Sequence, residues 1–181
     1  AGYGGLVVDT KGNANAKPEL SQNFEIGTKW NLLDDKLLFT AAAFRTTKKD
    51  VMEAAPSGTG YDSAGMFNTG KNRVRGIEFG LAGNLTRDLQ VQAGAAFMQS
   101  KVLKSATASN VGRPLANFAD RSFAVQGKYQ FTRNFALGAV ARYESNRCGG
   151  QPDTGAGFNA QGHCSQPVPS FSVYDLFATY R

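Results

Sequence analysis

Residues 73–97 read RVRGIEFGLAGNLTRDLQVQAGAAF. Ile77, Phe79, Leu81 and Leu85 alternate with Glu78, Gly80, Ala82 and Asn84. After the break at Thr86-Arg87-Asp88, Leu89, Val91, Ala93, Ala95 and Phe97 alternate with Gln90, Gln92, Gly94 and Ala96. Side chains of a strand point alternately to two faces. The stretch therefore reads as a hairpin with one apolar face and one polar or small face. Its parity predicts that Phe79 and Val91 share the first face and Glu78 and Gln92 the second, because a one-residue slip would exchange them wholesale.

The same period recurs along the chain. Phe24, Ile26, Thr28, Trp30 and Leu32 alternate with Glu25, Gly27, Lys29 and Asn31. Phe123, Val125, Gly127, Tyr129 and Phe131 alternate with Ala124, Gln126, Lys128 and Gln130, and a further arm follows Thr132-Arg133-Asn134. The Ala run in LLFTAAAFRTTKKDVMEA blurs the faces of the second strand. About seven strands of roughly 9–12 residues emerge, joined alternately by tight breaks (DDK, TRD, TRN) and by long Gly-, Asn- and Ser-rich loops. That alternation is the pattern of an antiparallel transmembrane β-barrel, with short periplasmic turns, long extracellular loops, lipid-facing apolar residues and a wet lumen. Trp30, Tyr129, Phe131, Phe135, Tyr143 and Tyr180 lie near strand ends, where interfacial aromatic girdles sit. A soluble antiparallel sandwich has the same period, but Ala93, Ala95, Ala139 and Ala141 would fill its core poorly.

The composition narrows the function classes. The 181 residues hold 20 Lys and Arg against 14 Asp and Glu, a net charge of +6. The cations are scattered and no aromatic stripe interleaves with them, so nucleic acid is not an expected partner. The start of the chain lacks a signal peptide's basic and apolar regions. Cys148 and Cys164 sit in one polar, Gly-rich stretch and are expected to form a disulfide in an extracellular loop of an oxidising compartment. Gly65 to Asn72 approaches a phosphate-binding P-loop but ends in Asn72 where a metal-binding Ser or Thr is needed, and a strand follows it. His163, the only histidine, has Cys148 as its only further zinc-type partner besides Cys164, too few for a zinc site. No nucleophile–histidine–acid set can be assembled, so no catalytic residue, metal site or resident cofactor is expected. Asn84-Leu85-Thr86 matches a glycosylation sequon but falls in a tight turn.

Three motifs carry a family resemblance. KPELSQNFEIGTKWNLLDDKLLFTAAAFRTTKKDV resembles the P-E-x-S-x-x-Y/F-E-x-G-x-K-W strand pair of TonB-dependent siderophore receptors. NRVRGIEFGLAGNLTRDLQVQAGAAF resembles their R-V-x-G-x-E-x-x-x-x-G-x-L-T hairpin, and VPSFSVYDLFATYR their V-P-x-Y-x-V-Y-D-x-x-A-x-Y strand. The catecholate type is the most similar. The family's Pro-x-His is replaced by Asn117-Phe118-Ala119-Asp120-Arg121. The resemblance implies that residues 1–181 are part of a barrel of about 22 strands, with plug domain and remaining strands outside this chain, and that AGYGGLVVDTKGNANA is the tail of an extracellular loop. It implies import of a ferric siderophore across the outer membrane, energised by the TonB-ExbB-ExbD complex, with outer-membrane lipid and lipopolysaccharide as surroundings. A passive porin, or a small barrel without TonB coupling, is the rival reading.

Ferric catecholates are anionic, so cations near the mouth are candidate ligand contacts. Lys29, Lys128 and Arg142 are expected on the lumen face, and Arg73 and Arg75 where their strand enters from the long loop. Tyr61, Phe67 and Phe158 are the loop aromatics expected to stack on catechol rings. The inward acids Glu25, Glu78 and Glu144 are expected to pair with neighbouring cations. The first strand, FEIGTKWNL, and the last, SVYDLFATY, are expected to be open edges.

Overall fold

The computed structural model describes residues 17–54 and 66–181. Its strands are β1 (Leu20–Leu32), β2 (Leu37–Ala54), β3 (Met66–Asn84), β4 (Leu89–Lys104), β5 (Arg121–Gln130), β6 (Phe135–Glu144), the short β7 (Arg147–Cys148) and β8 (Pro167–Val168), and β9 (Phe171–Tyr180). Seven of them form one antiparallel sheet in the order β1-β2-β3-β4-β5-β6-β9, and β7 pairs with β8 in a separate ribbon. Each long strand pairs with its neighbour in sequence, so the sheet is a meander. β1 and β9 are its two open edges, as expected, and do not pair with each other. Unpaired backbone groups cost several kcal/mol each in lipid, so these edges require further strands in a bilayer.

The tight breaks are built by their own residues. Leu33 O accepts from Lys36 N at 3.3 Å, with Asp34 and Asp35 at φ 54° and 64° between them. Two central residues at positive φ match the twist of a hairpin, and Asp tolerates that region better than most residues. Gly83 closes the same corner. It sits at φ +143°, and a Cβ there would stand 2.1 Å from the Lys36 carbonyl oxygen. TRD and TRN fold alike. Thr86 Oγ1 accepts from Asp88 N (3.3 Å) and Leu89 N (3.0 Å); Thr132 Oγ1 accepts from Asn134 N (3.3 Å) and Phe135 N (3.1 Å). The threonine hydroxyl supplies the turn's hydrogen bonds in both.

The register bears out the predicted faces. Thr28, Ala41, Phe79, Ala95, Phe123, Tyr143 and Ser172 form one cross-strand row; Gly27, Ala42, Glu78, Ala96, Ser122, Glu144 and Phe171 form the adjacent one on the other side. The Phe79 face is apolar and bare. Ile26, Tyr174 and Leu176 expose 77%, 76% and 80% of their surface. Among the described residues no second sheet covers it, which removes the soluble sandwich and its dry core. Its aromatics instead pair along the sheet: Trp30 stacks on Phe39 at 5.4 Å, and Phe123 meets Phe97 at 5.3 Å and Tyr143 at 5.7 Å. Among the described residues, no helix is long and apolar enough to cross a membrane; the strands carry the lipid-facing surface.

Strand length departs from expectation. The 18 residues of β2 are the stretch that reads as the second strand, whereas β3 and β4 run to 19 and 16 residues, well beyond the predicted 9–12. Their extra length lies at the long-loop end. There the stretch MFNTGKN, which reads as loop, continues β3. Asn68 Nδ2 donates to the carbonyls of Asp50 (2.7 Å) and Lys17 (2.9 Å), so a loop-type residue is held in the ladder by distant backbone. A bulge between Lys49 and Met52 accompanies the extension. This end also holds most of the buried residues: Val51, Val102, Leu115, Ala116, Cys148 and, among polar ones, Glu53, Asn72, Ser100, Ser145 and Thr154.

Candidate functional site

Two places on the polar side of the sheet concentrate chemistry. The first is an open trough of about 920 Å³ along the middle of the sheet, lined by Glu25, Lys29, Glu78, Ser122, Arg142 and Glu144 among others. Small residues make room for it. Gly27, Gly80, Gly94, Ala42, Ala96 and Ala124 occupy polar-side positions there. Lys29 and Arg142 lie in one row, at its β1 and β6 ends; Lys128 shares the face. The expected inward cations are thus inward.

Their pairing differs from expectation. Arg142 Nη1 stands 3.7 Å from Asp175 Oδ2 on β9, with both side chains more than half exposed. Glu144 pairs with Arg147, at 2.5 Å, in the loop above. Glu25 and Glu78 make no ion pair among the described residues. Adjacent strands are about 5 Å apart, and the register sets Phe44 beside Glu25 and Ala42 and Ala96 beside Glu78, with no cation directly opposite either acid. The lumen face is therefore mixed in charge, with Glu25, Glu78, Glu144 and Asp175 set against Lys29, Lys128 and Arg142.

The second place is a cap above the trough. The segment between β6 and β9 carries the disulfide: Cys148 and Cys164 are joined at 2.06 Å with Cα atoms 5.5 Å apart. The expected disulfide is present, and the polar, Gly-rich loop that carries it is packed down rather than free. Ala116 N donates to Thr154 O, Asn117 N to Cys148 O (both 2.7 Å), and Arg113 Nη1 to Phe158 O (2.8 Å). It also crosses to the far side of the sheet. Asn72 Nδ2 donates to Asp153 O at 2.8 Å and Gln151 Nε2 to Met52 O at 3.4 Å. Lys48 Nζ bridges Asp153 Oδ2 (2.7 Å) and Glu19 Oε2 (2.6 Å). Beside it, buried Glu53 accepts from Thr69 Oγ1, Ser105 Oγ and Ala106 N at 2.6–3.0 Å. Burying a carboxylate demands such partners. At the loop's end Asp120 has its carboxyl pushed above the ordinary value by partial burial, against the pull of Arg121.

The predicted ligand contacts do not come together. Of Arg73, Arg75, Arg142, Phe67 and Phe158, Arg142 alone lines the trough, together with the inward cation Lys29. Arg73 and Arg75 are within β3, not at its entry, and share the parity of Ile77 and Phe79 on the apolar side. Arg75 donates to Gln99 Oε1 through Nε (3.0 Å) and Nη2 (2.6 Å). Phe67 belongs to β3, opposite Glu53, instead of a loop. Phe158 is half-buried in the cap and bridges to Cys164. Tyr61 lies outside the described residues. Sequence reasoning missed Lys48, Glu53, Asn72 and Asp153. A buried Asn or Glu at the end of a strand gives no local signal, because its partners are 16 to 81 residues away.

The family model described as "TonB dependent receptor-like, beta-barrel" matches residues 2–181. The chain is 35% identical over 167 residues to the probable TonB-dependent receptor BfrD of Bordetella pertussis, covering 91% of this chain and 21% of that protein. The crystal structure of the ferric-catecholate import receptor Fiu from E. coli K12, closed form, is 29% identical with TM-score 0.64, covering 91% of this chain and 22% of that one. The siderophore receptor PiuA from Acinetobacter baumannii is 28% identical with TM-score 0.67, covering 88% and 22%. The chain thus spans about a fifth of the length of these relatives.

Proposed function

We propose, from the premise that this chain belongs to the TonB-dependent receptor-like β-barrel family, that the whole receptor imports a ferric siderophore of the catecholate type. The chain is a sector of an outer-membrane β-barrel: an antiparallel all-strand meander with lipid-side and lumen-side rows. Short-turn ends face the periplasm and long-loop ends face outward.

The observation that carries the proposal is the likeness to receptors named for ferric-catecholate import and siderophore uptake, over nearly the whole chain. The trough supports it in kind. A lumen wall of Gly, Ala, Ser and mixed charge suits passage of a bulky polar complex better than tight binding along its length. Arg142 and Lys29 are the wall cations able to meet an anionic chelate. The cap above, rather than the trough, supplies shape at the mouth, and Phe158 and Arg113 belong to it. TonB, energised with ExbB and ExbD, would supply the work through a plug domain; this sector contributes scaffold and wall. A passive porin loses its support with the family assignment.

The test is uptake of radiolabelled iron by cells lacking other catecholate receptors and expressing the complete receptor. Uptake of a ferric catecholate that disappears in a tonB-deficient strain is the expected result. Uptake independent of TonB, with small uncharged solutes admitted as freely, would return the protein to the porin class.

A further inference from the structure

Three consecutive rows on the lipid side change chemistry abruptly toward the long-loop end. Ile26, Ala43, Ile77, Phe97 and Arg121 form the last largely apolar row. The next outward row is Phe24, Arg45, Arg75 and Gln99; the one beyond it is Gln22, Thr47, Arg73 and Lys101. Arg45, Arg73, Arg75, Lys101 and Arg121 therefore stand together just above the apolar band. No carboxylate shares these rows.

The arrangement is self-repelling. Arg45 and Arg75 are direct cross-strand partners, and like charges directly opposite destabilise a sheet. Arg45, Arg75, Lys101 and Arg121 are exposed. None of the five makes an ion pair among the described residues; the acid beside Arg121 in the chain is Asp120. Gln99 holds the Arg75 fork through two donors and leaves three of its five N–H groups free. An anion set between planar guanidiniums turns the repulsion into attraction, and phosphate suits the fork geometry.

Position selects the anion. A cargo in the lumen is on the other face of the sheet. What lies against this face, immediately beyond the apolar band on the extracellular side, is the headgroup layer of the outer leaflet. We propose that Arg45, Arg75 and Arg121, flanked by Arg73 and Lys101, form a docking site for the lipid A phosphates of lipopolysaccharide. The site is continuous with the lipid-facing surface and complements its occupant in charge. It rests on the outer-membrane barrel and its orientation, not on the imported cargo.

The test uses the complete receptor, purified in detergent and titrated with lipid A by native mass spectrometry. The triple variant Arg45→Gln/Arg75→Gln/Arg121→Gln is expected to bind lipid A on the order of a hundredfold more weakly. The charge-keeping variant Arg45→Lys/Arg75→Lys/Arg121→Lys controls for folding and is expected to stay within about tenfold of the parent. Lys29→Gln/Lys128→Gln/Arg142→Gln removes the same charge from the lumen and is expected to keep parental binding. Dephosphorylated lipid A should bind the parent as weakly as lipid A binds the glutamine variant. Unchanged binding by the outward glutamine variant overturns the proposal. So does an equal loss from the lumen variant, or equal affinity for phosphatidylglycerol.

Discussion

The sheet's middle and its long-loop end are made from the same strands but obey different rules. In the middle, β1 to β6 and β9 have no protein core. Phe79 and Ile26 look outward, Glu78 and Glu25 look inward, and both sets are largely exposed. Order there comes from the backbone ladder and from lipid on one side. At the long-loop end, β2, β3 and β4 outrun the sheet and meet two loops, and a small interior forms around Val51, Val102, Leu115 and Ala116. The middle is stabilised as a membrane protein and the cap as a water-soluble one. Substitutions should therefore act through different terms in the two places.

The largest expected effect tests the lipid face. Phe79→Arg should destabilise the folded barrel by about 2–4 kcal/mol, and Gln92→Arg, on the lumen side, by much less. Urea titration of the complete receptor in lipid vesicles measures both. Equal losses would break the distinction between the faces.

In the cap, Cys148→Ser/Cys164→Ser should loosen the loop by about 3 kcal/mol, since the bridge closes 16 residues. Amide exchange should accelerate over residues 145–167 while the middle of β3 and β4 keeps its protection. Loss of protection in both would show that the cap holds the barrel together.

Val51→Ala removes two methyl groups from the most buried side chain, 1% exposed. The cost is expected near 2 kcal/mol, confined to the cap. Protection factors at β2's outer end and at residues 113–117 report it. The matching change at the bare Ile26 should be far cheaper in detergent, because no cavity is created.

The smallest effect concerns the strap across the sheet. Asp153→Asn removes one of Lys48's carboxylate partners. With the Asp153 side chain 44% exposed, the loss is about 0.5 kcal/mol and shrinks with added salt. Exchange rates of the cap amides at low and high ionic strength separate this from a salt-independent loss, which would point to packing instead.

Most of the middle was legible from the residues alone. Alternation assigned Glu78, Gln92, Phe79 and Val91 to their faces, because side-chain direction in a strand depends on parity and nothing else. The turns were legible too: Asp-Asp and Thr-Arg-Asp/Asn carry the positive φ values and hydroxyl bonds that a tight turn needs, within the turn itself. The pair of cysteines announced their bridge. What the tertiary structure alone decided was everything that joins residues far apart in the chain. β3 begins at Met66 because Asn68 and Asn72 find carbonyls on other segments. The cysteine loop is a packed cap, not a free one, because Asp153 and Gln151 reach β2 and β3. Arg73 and Arg75 stand on the lipid side although their charge suggested the mouth, since β3's ladder runs on past them and parity then overrides polarity. Local sequence specifies direction and turn; long-range hydrogen bonds and burial, which no short window contains, specify where a strand stops and what covers it.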